Sequence, residues 1–169
     1  MATAPTLWAP SRGFGSSGRL RLPCPGPAGG PQRSPEASKS MPADDLVEFV
    51  KRELTMRANP SAAGPMARYM KTDMPFYGIK SPQREPVIRE MVRRFPPGDE
   101  SDVERAVLAL WALPHREEKY AALAYAASAP KGIGLLPLYE RLIREGGWWD
   151  LVDEVAIKLV GKVLLDEPD

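Results

Sequence analysis

An aromatic ring and a carboxylate one helical turn apart are the side chains of this sequence best suited to act on a cation. They lie in the stretch Gly146-Gly147-Trp148-Trp149-Asp150-Leu151-Val152-Asp153-Glu154. The two glycines break a preceding helix, and the acidic, periodic run after them opens a new one. On that helix Trp149 and Asp153 leave the same face, stacked one turn over the other. Trp148 points about 100° away from Trp149, and Asp150 stands three residues before Asp153, so a face bearing Trp149, Asp150 and Asp153 is open to the chain. The ring offers a surface for a cation and the carboxylate can stabilise developing positive charge. The same residues also fit a plain structural role. Tryptophans at a helix start commonly anchor a core, and first-turn acids commonly answer the helix dipole.

Much chemistry is removed by what the sequence lacks. His115 is the sole histidine and follows Leu113-Pro114, which makes it a turn or cap residue with no second ligand or nucleophile to work with. There is no Gly-x-Gly-x-x-Gly, phosphate loop, His-Glu-x-x-His or Gly-x-Ser-x-Gly, so no cofactor and no metal is expected. Residues 68–94 do carry a local basic excess: Arg68, Lys71, Lys80, Arg84, Arg89, Arg93 and Arg94. A charge run is ordinarily a solvated face. Yet Lys80-Ser81 at an expected helix start suits a phosphate, because backbone N–H groups, a hydroxyl and a cation converge there.

The elements that must position these residues begin well into the chain. Residues 1–40 contain seven Pro, six Gly and six Ser, with Glu36 the one acid against five basic residues. Such a segment buries too little apolar surface to offset its chain entropy and is expected to be a disordered tail. It reads either as a mis-assigned start ahead of Met41 or, from its arginine and serine content, as a mitochondrial targeting segment. Cys24, the only cysteine, lies in it, which excludes a disulfide framework and a cysteine-rich metal site. Residues 41–169 carry 18 Lys/Arg against 21 Asp/Glu, a net charge of about −3, so no global basic field announces a polyanionic partner. No stretch is long and apolar enough for a membrane span. Apolar spacing predicts seven helices of roughly 12–20 residues with short links and no strand, an all-α domain of antiparallel helix pairs. Asp44 or Asp45 is the expected first cap, Ser61 the second and Ser81 the third, with Pro82 at the first helical position. Pro65 is expected only in a first turn or at a break.

Four segments in order resemble the AlkD-like DNA alkylation repair proteins: Pro65 to Lys71, Tyr77 to Arg84, Leu110 to Glu117, and Trp148 to Asp153. The resemblance runs from about Leu46 to Pro168. It implies a curved HEAT-like helical-repeat stack holding duplex DNA in its concave face, and a DNA glycosylase that removes positively charged N3- and N7-alkylated purines. On that resemblance Trp149 and Asp153 are the catalytic pair. Tyr69 and Trp148 line the same DNA-binding face, and Lys80, Ser81 and Arg84 contact the DNA backbone. Lys80 stands where the family commonly has an acceptor or amide side chain, and Glu85 where a second basic residue is often seen. The family continues beyond the segment matching Asp169, which makes this the N-terminal portion and implies weak or absent activity. The alternative is a noncatalytic helical scaffold binding protein or DNA backbone. Duplex DNA containing alkylated purines is the expected partner, with no membrane, for a monomer in the cytoplasm, nucleoid-associated if bacterial. Limited proteolysis is expected to trim the chain to between Met41 and Leu46 without loss of helical circular dichroism; a protected fragment containing residues 1–30 contradicts this reading of the tail.

Overall fold

Amphipathic segments with short polar links leave a chain little choice but to stack helices, and that is what the computed structural model of the protein contains. It describes residues 43–130 and 132–166, all within one unit spanning 37–169, with no strand among them. The expected tail at 1–40, with Cys24, and the expected domain start at Met41 lie outside the described residues. The helices are α1 (Ala43–Met56), α2 (Pro60–Met70), α3 (Ser81–Arg94), α4 (Glu100–Trp111), α5 (Arg116–Ser128) and α6 (Leu136–Gly146), the last preceded by a 3₁₀ turn at Ile133–Leu135. A final helix starts as α7 (Trp149–Asp153), passes through a π-helical stretch (Glu154–Val160) and ends as α8 (Gly161–Asp166). Among the described residues no helix is long and apolar enough to cross a membrane.

The core is one continuous cluster. Leu46, Phe49, Val50 and Leu54 of α1 meet Val87 and Met91 of α3 and the stripe Val103, Ala106, Val107, Leu110 and Trp111 of α4. Four residues, Ala112 to His115, join α4 to α5, and the two pack closely along their length. Their contact is tight because α5 presents Ala121, Ala122 and Ala126, small enough to let the backbones approach. α5 and α6 in turn support the π-helical stretch.

Several caps sit one or two residues before the expected position. Asp44 and Asp45 lie inside the first turn of α1, where they answer the dipole. Asn59 caps α2 with Pro60 at its start, while Ser61 donates to the Asn59 side chain. Lys80 is the N-cap of α3 and Ser81 its first residue; the Gln83 side chain accepts from the Lys80 N–H at 3.2 Å. Pro65 lies within α2, half a helix past the first turn, contrary to expectation. The last helix departs from a plain α-helix. The buried set is Leu151, Val155, Leu159 and Val163, and Leu164 is exposed. A strict four-residue interval drifts off one face of a helix with about 3.6 residues per turn. The wider i→i+5 turns, seen where the Gly161 N–H reaches the Ala156 carbonyl, bring that interval back into line.

The loop between α2 and α3 closes on Gly78, which has φ +83°. A Cβ there would stand 2.2 Å from the Asn59 carbonyl oxygen and 2.8 Å from the Ala63 nitrogen. Gly147, the left-handed cap of α6, has φ +56° but meets nothing nearer than 3.9 Å. Gly78→Ala is therefore expected to cost about 3 kcal/mol or more, conformational strain plus backbone collision, and Gly147→Ala about 1–2 kcal/mol. Urea unfolding of the two variants checks this, and equal costs would contradict it.

Candidate functional site

α5 begins with four charged residues in a row, and all are buried: Arg116 at 1%, Glu117 at 0%, Glu118 at 1% and Lys119 at 9% relative exposure. Buried charge is tolerated only when its partners are supplied. Glu117 accepts three backbone N–H groups of the loop, from Tyr77 at 3.0 Å, Gly78 at 2.9 Å and Ile79 at 3.0 Å. Glu118 accepts from the Tyr77 hydroxyl at 2.8 Å and from the His115 N–H at 2.7 Å. Lys119 donates to the carbonyls of Trp111 and Leu113, closing the end of α4. Arg116 holds both carboxylate oxygens of Asp150, and its own N–H donates to the Pro75 carbonyl at 2.9 Å. His115 is the N-cap of α5, as the sequence indicates, and its ring stacks on Tyr77 with centroids 3.9 Å apart.

Fixing the loop and the start of α3 in this way frames two adjoining clefts. One, of about 380 Å³, is lined by Met66, Tyr69, Phe76, Ile79, Ser81, Arg84 and Tyr120. The other, of about 350 Å³, shares Ser81, Arg84 and Tyr120 and continues past Ile88, Leu123 and Ser128 to Glu154 and Lys158. At their junction the Arg84 guanidinium lies 4.3 Å over the centre of the Tyr120 ring. Its Nε is buried without a hydrogen-bond partner, and it makes no ion pair with any described residue. Burial holds its pKa below the usual arginine value. The Tyr120 ring and the more distant Glu117 and Glu154 carboxylates act on this half-buried guanidinium, but none of them bonds its Nε.

The expected site residues separate into two groups. Tyr69, Ser81 and Arg84 share the first cleft; Tyr69 is 80% exposed. Lys80 is exposed at the cap of α3, and it, Trp148, Trp149 and Asp153 are outside the lining of both clefts. Trp148 is the half-buried N-cap of α7, its indole N–H buried without a partner. Trp149 is 59% exposed and Asp153, one turn on, is also exposed, with no hydrogen bond or ion pair to any described residue. The face that would have joined Asp150 to this pair does not form. Asp150 turns inward to Arg116 and takes a hydrogen bond from the Tyr120 hydroxyl. Sequence reasoning missed Tyr120, Glu117, Glu154 and Lys158. Tyr120 has apolar neighbours at helical spacing, which is the pattern of an ordinary core position. Among the described residues no group of histidine, cysteine or carboxylate side chains is arranged to hold a metal.

A family model described as DNA alkylation repair enzyme matches residues 50–169. Among curated proteins none matches the chain.

Two tyrosines of the site are pushed up to about 12, Tyr77 by burial and then by Glu118, Tyr120 by burial and then by Asp150. A raised folded-state pKa means the folded protein keeps a proton that the unfolded chain releases from about pH 10 upward. Their stabilisation is therefore whole below pH 10 and lost as pH rises towards 12. Urea midpoints measured from pH 8 to pH 11.5 are expected to fall above pH 10, and to fall less steeply in Tyr77→Phe/Tyr120→Phe. An equal slope in both proteins would contradict the assignment.

Proposed function

The chain belongs to the DNA alkylation repair enzyme family, and from that membership we propose that it is a DNA N-glycosylase acting on positively charged N3- and N7-alkylated purines in duplex DNA. The observation that carries the proposal is the pair Trp149 and Asp153: a large ring left in solvent at a helix start, one turn from a carboxylate with no ion pair to any described residue. An exposed ring is free to stack on a ligand, and an exposed carboxylate without an ion pair is free to face a cation.

The chemistry asks for little more. An alkylated purine is already a cationic leaving group, so no strong general acid is required. As its bond to C1′ breaks, the bonding electron pair goes to the purine and cancels its charge, while positive charge grows on the deoxyribose. The Asp153 carboxylate stabilises that charge and orients the water whose oxygen bonds to C1′, the surplus proton leaving to solvent. The Trp149 ring offers its face to the cationic base and the sugar. Arg84 and Ser81, with Lys80 at the same helix start, suit the phosphates that flank the lesion. The exposed Tyr69 supplies a further aromatic surface on that side. A stack of HEAT-like helix pairs is the scaffold this reading implies.

Release of free 7-methylguanine from a duplex, measured against the spontaneous loss in buffer, tests the reaction. Asp153→Asn is expected to lower the rate by about 10²–10³ with helical content unchanged. Arg84→Ala is expected to weaken duplex binding and to reduce the slope of log K against log salt by about one. Release by the unaltered chain no faster than the buffer control would sink the proposal.

A further inference from the structure

We propose that Tyr120 is a positioning residue that couples the anion-facing Arg84 to the helix start carrying Trp149 and Asp153. Its kinetic consequence rests on the glycosylase reading above; its structural consequence does not. Tyr120 touches both sides of the link. Its ring carries the Arg84 guanidinium, and its hydroxyl donates to an Asp150 oxygen. Asp150 is the second residue of α7, directly after Trp149 and three before Asp153. Its side chain is 11% exposed and that of its partner Arg116 is 1% exposed.

The geometry of a helix turns this contact into an orientation. With Asp150 held from α5 at two points, α7 cannot rotate about its axis without breaking a buried ion pair and a hydroxyl bond. Trp149 and Asp153 stand at fixed angles from Asp150, so their direction is set by the same tie. Arg116 alone is one anchor, at the base of α5. Tyr120 adds a second, one turn along α5 and at the junction of the two clefts. The hydroxyl thus adds a further hydrogen bond to a carboxylate that Arg116 already holds by both oxygens, and it does so from the residue that carries Arg84. An anion drawn to Arg84 therefore presses on a ring whose far end holds the helix of the proposed catalytic pair.

The arrangement separates grip from placement, which makes it testable with one atom. Tyr120→Phe keeps the ring under Arg84 and removes only the hydroxyl; Asp150 retains Arg116, so the fold has its main anchor. In single-turnover excision of 7-methylguanine the variant is expected to lose about 10- to 100-fold in rate, as for a reacting group displaced by up to an ångström. Its affinity for undamaged duplex is expected to stay within about twofold, since phosphate contacts dominate affinity. Independently of activity, the Trp149 indole N–H resonance, identified through Trp149→Phe, is expected to shift or broaden in Tyr120→Phe. It should stay put in Ser128→Ala, whose hydroxyl bonds only the Tyr125 carbonyl of its own helix. An unmoved Trp149 resonance overturns the proposal whether or not the unaltered chain excises the base. A moved resonance with no excision by the unaltered chain supports the link and retires the glycosylase reading. A moved resonance with an unchanged excision rate overturns the coupling to catalysis.

Discussion

The fold depends on the burial of the charged first turn of α5. Taking four consecutive ionised side chains out of water is costly, and each is tolerated only because a different part of the chain completes it. Glu117 is the clearest case. The loop at 77–79 has three backbone donors with no helix to satisfy them, and the carboxylate has lone pairs with no water. Neither packs without the other. Glu118 closes the His115 cap and holds Tyr77, Lys119 closes α4, and Arg116 reaches forward to Asp150. One turn of helix thereby fixes the α2–α3 loop, the α4–α5 link and the start of α7. The clefts and the Trp149–Asp153 pair stand on the elements so fixed.

That constraint explains which parts of the molecule were legible in the sequence. α1, α4 and α6 carry their apolar residues on one stripe, so their existence and inward faces follow from spacing. α5 carries only a weak stripe. Its first turn, Arg-Glu-Glu-Lys, has the composition of a solvated face, and its apolar residues are mostly alanine. Nothing in a single sequence distinguishes a buried charged turn from an exposed one, because the side-chain partners Asp150, Tyr77, Gly78 and Ile79 lie 34 to 41 residues away. Asp150 was misplaced for the same reason: its helical register allows it beside Trp149 and Asp153, and only the distant Arg116 turns it inward. The exposure of Trp149 is likewise a tertiary fact.

The last helix holds a signal that was present and misread. Leu151, Val155, Leu159 and Val163 recur every four residues, an interval that drifts by about 40° per repeat on a plain α-helix. Scored against an α-helical template, the run spreads to Val152, Val160 and Leu164. A four-residue interval is better matched by the wider i→i+5 turns, and those are the observed form. The widening begins at Glu154, immediately after Asp153. Trp149 and Asp153 thus lie wholly within the α-helical turns and keep the four-residue stacking that their assignment assumes.

Charge distribution shows how a domain of near-neutral net charge can still face a polyanion. The basic excess at 68–94 is not uniform once its partners are known. Arg89 pairs with Glu85, and Arg93 and Arg94 both pair with Glu90, along the outer face of α3. Glu85 is thus neutralised on its own helix. Further along, Arg141, Arg144 and Lys158 pair with acids four residues away. Such pairs are locally neutral and project little field beyond a Debye length. Arg68, Lys71, Lys80 and Arg84 have no ion pair with any described residue. They occupy the end of α2 and the start of α3, the two elements that frame the first cleft. Internal pairing therefore converts a nearly balanced composition into a directed one, with these four cations gathered where the proposed duplex would meet Arg84. Net charge, read from sequence, averages that direction away.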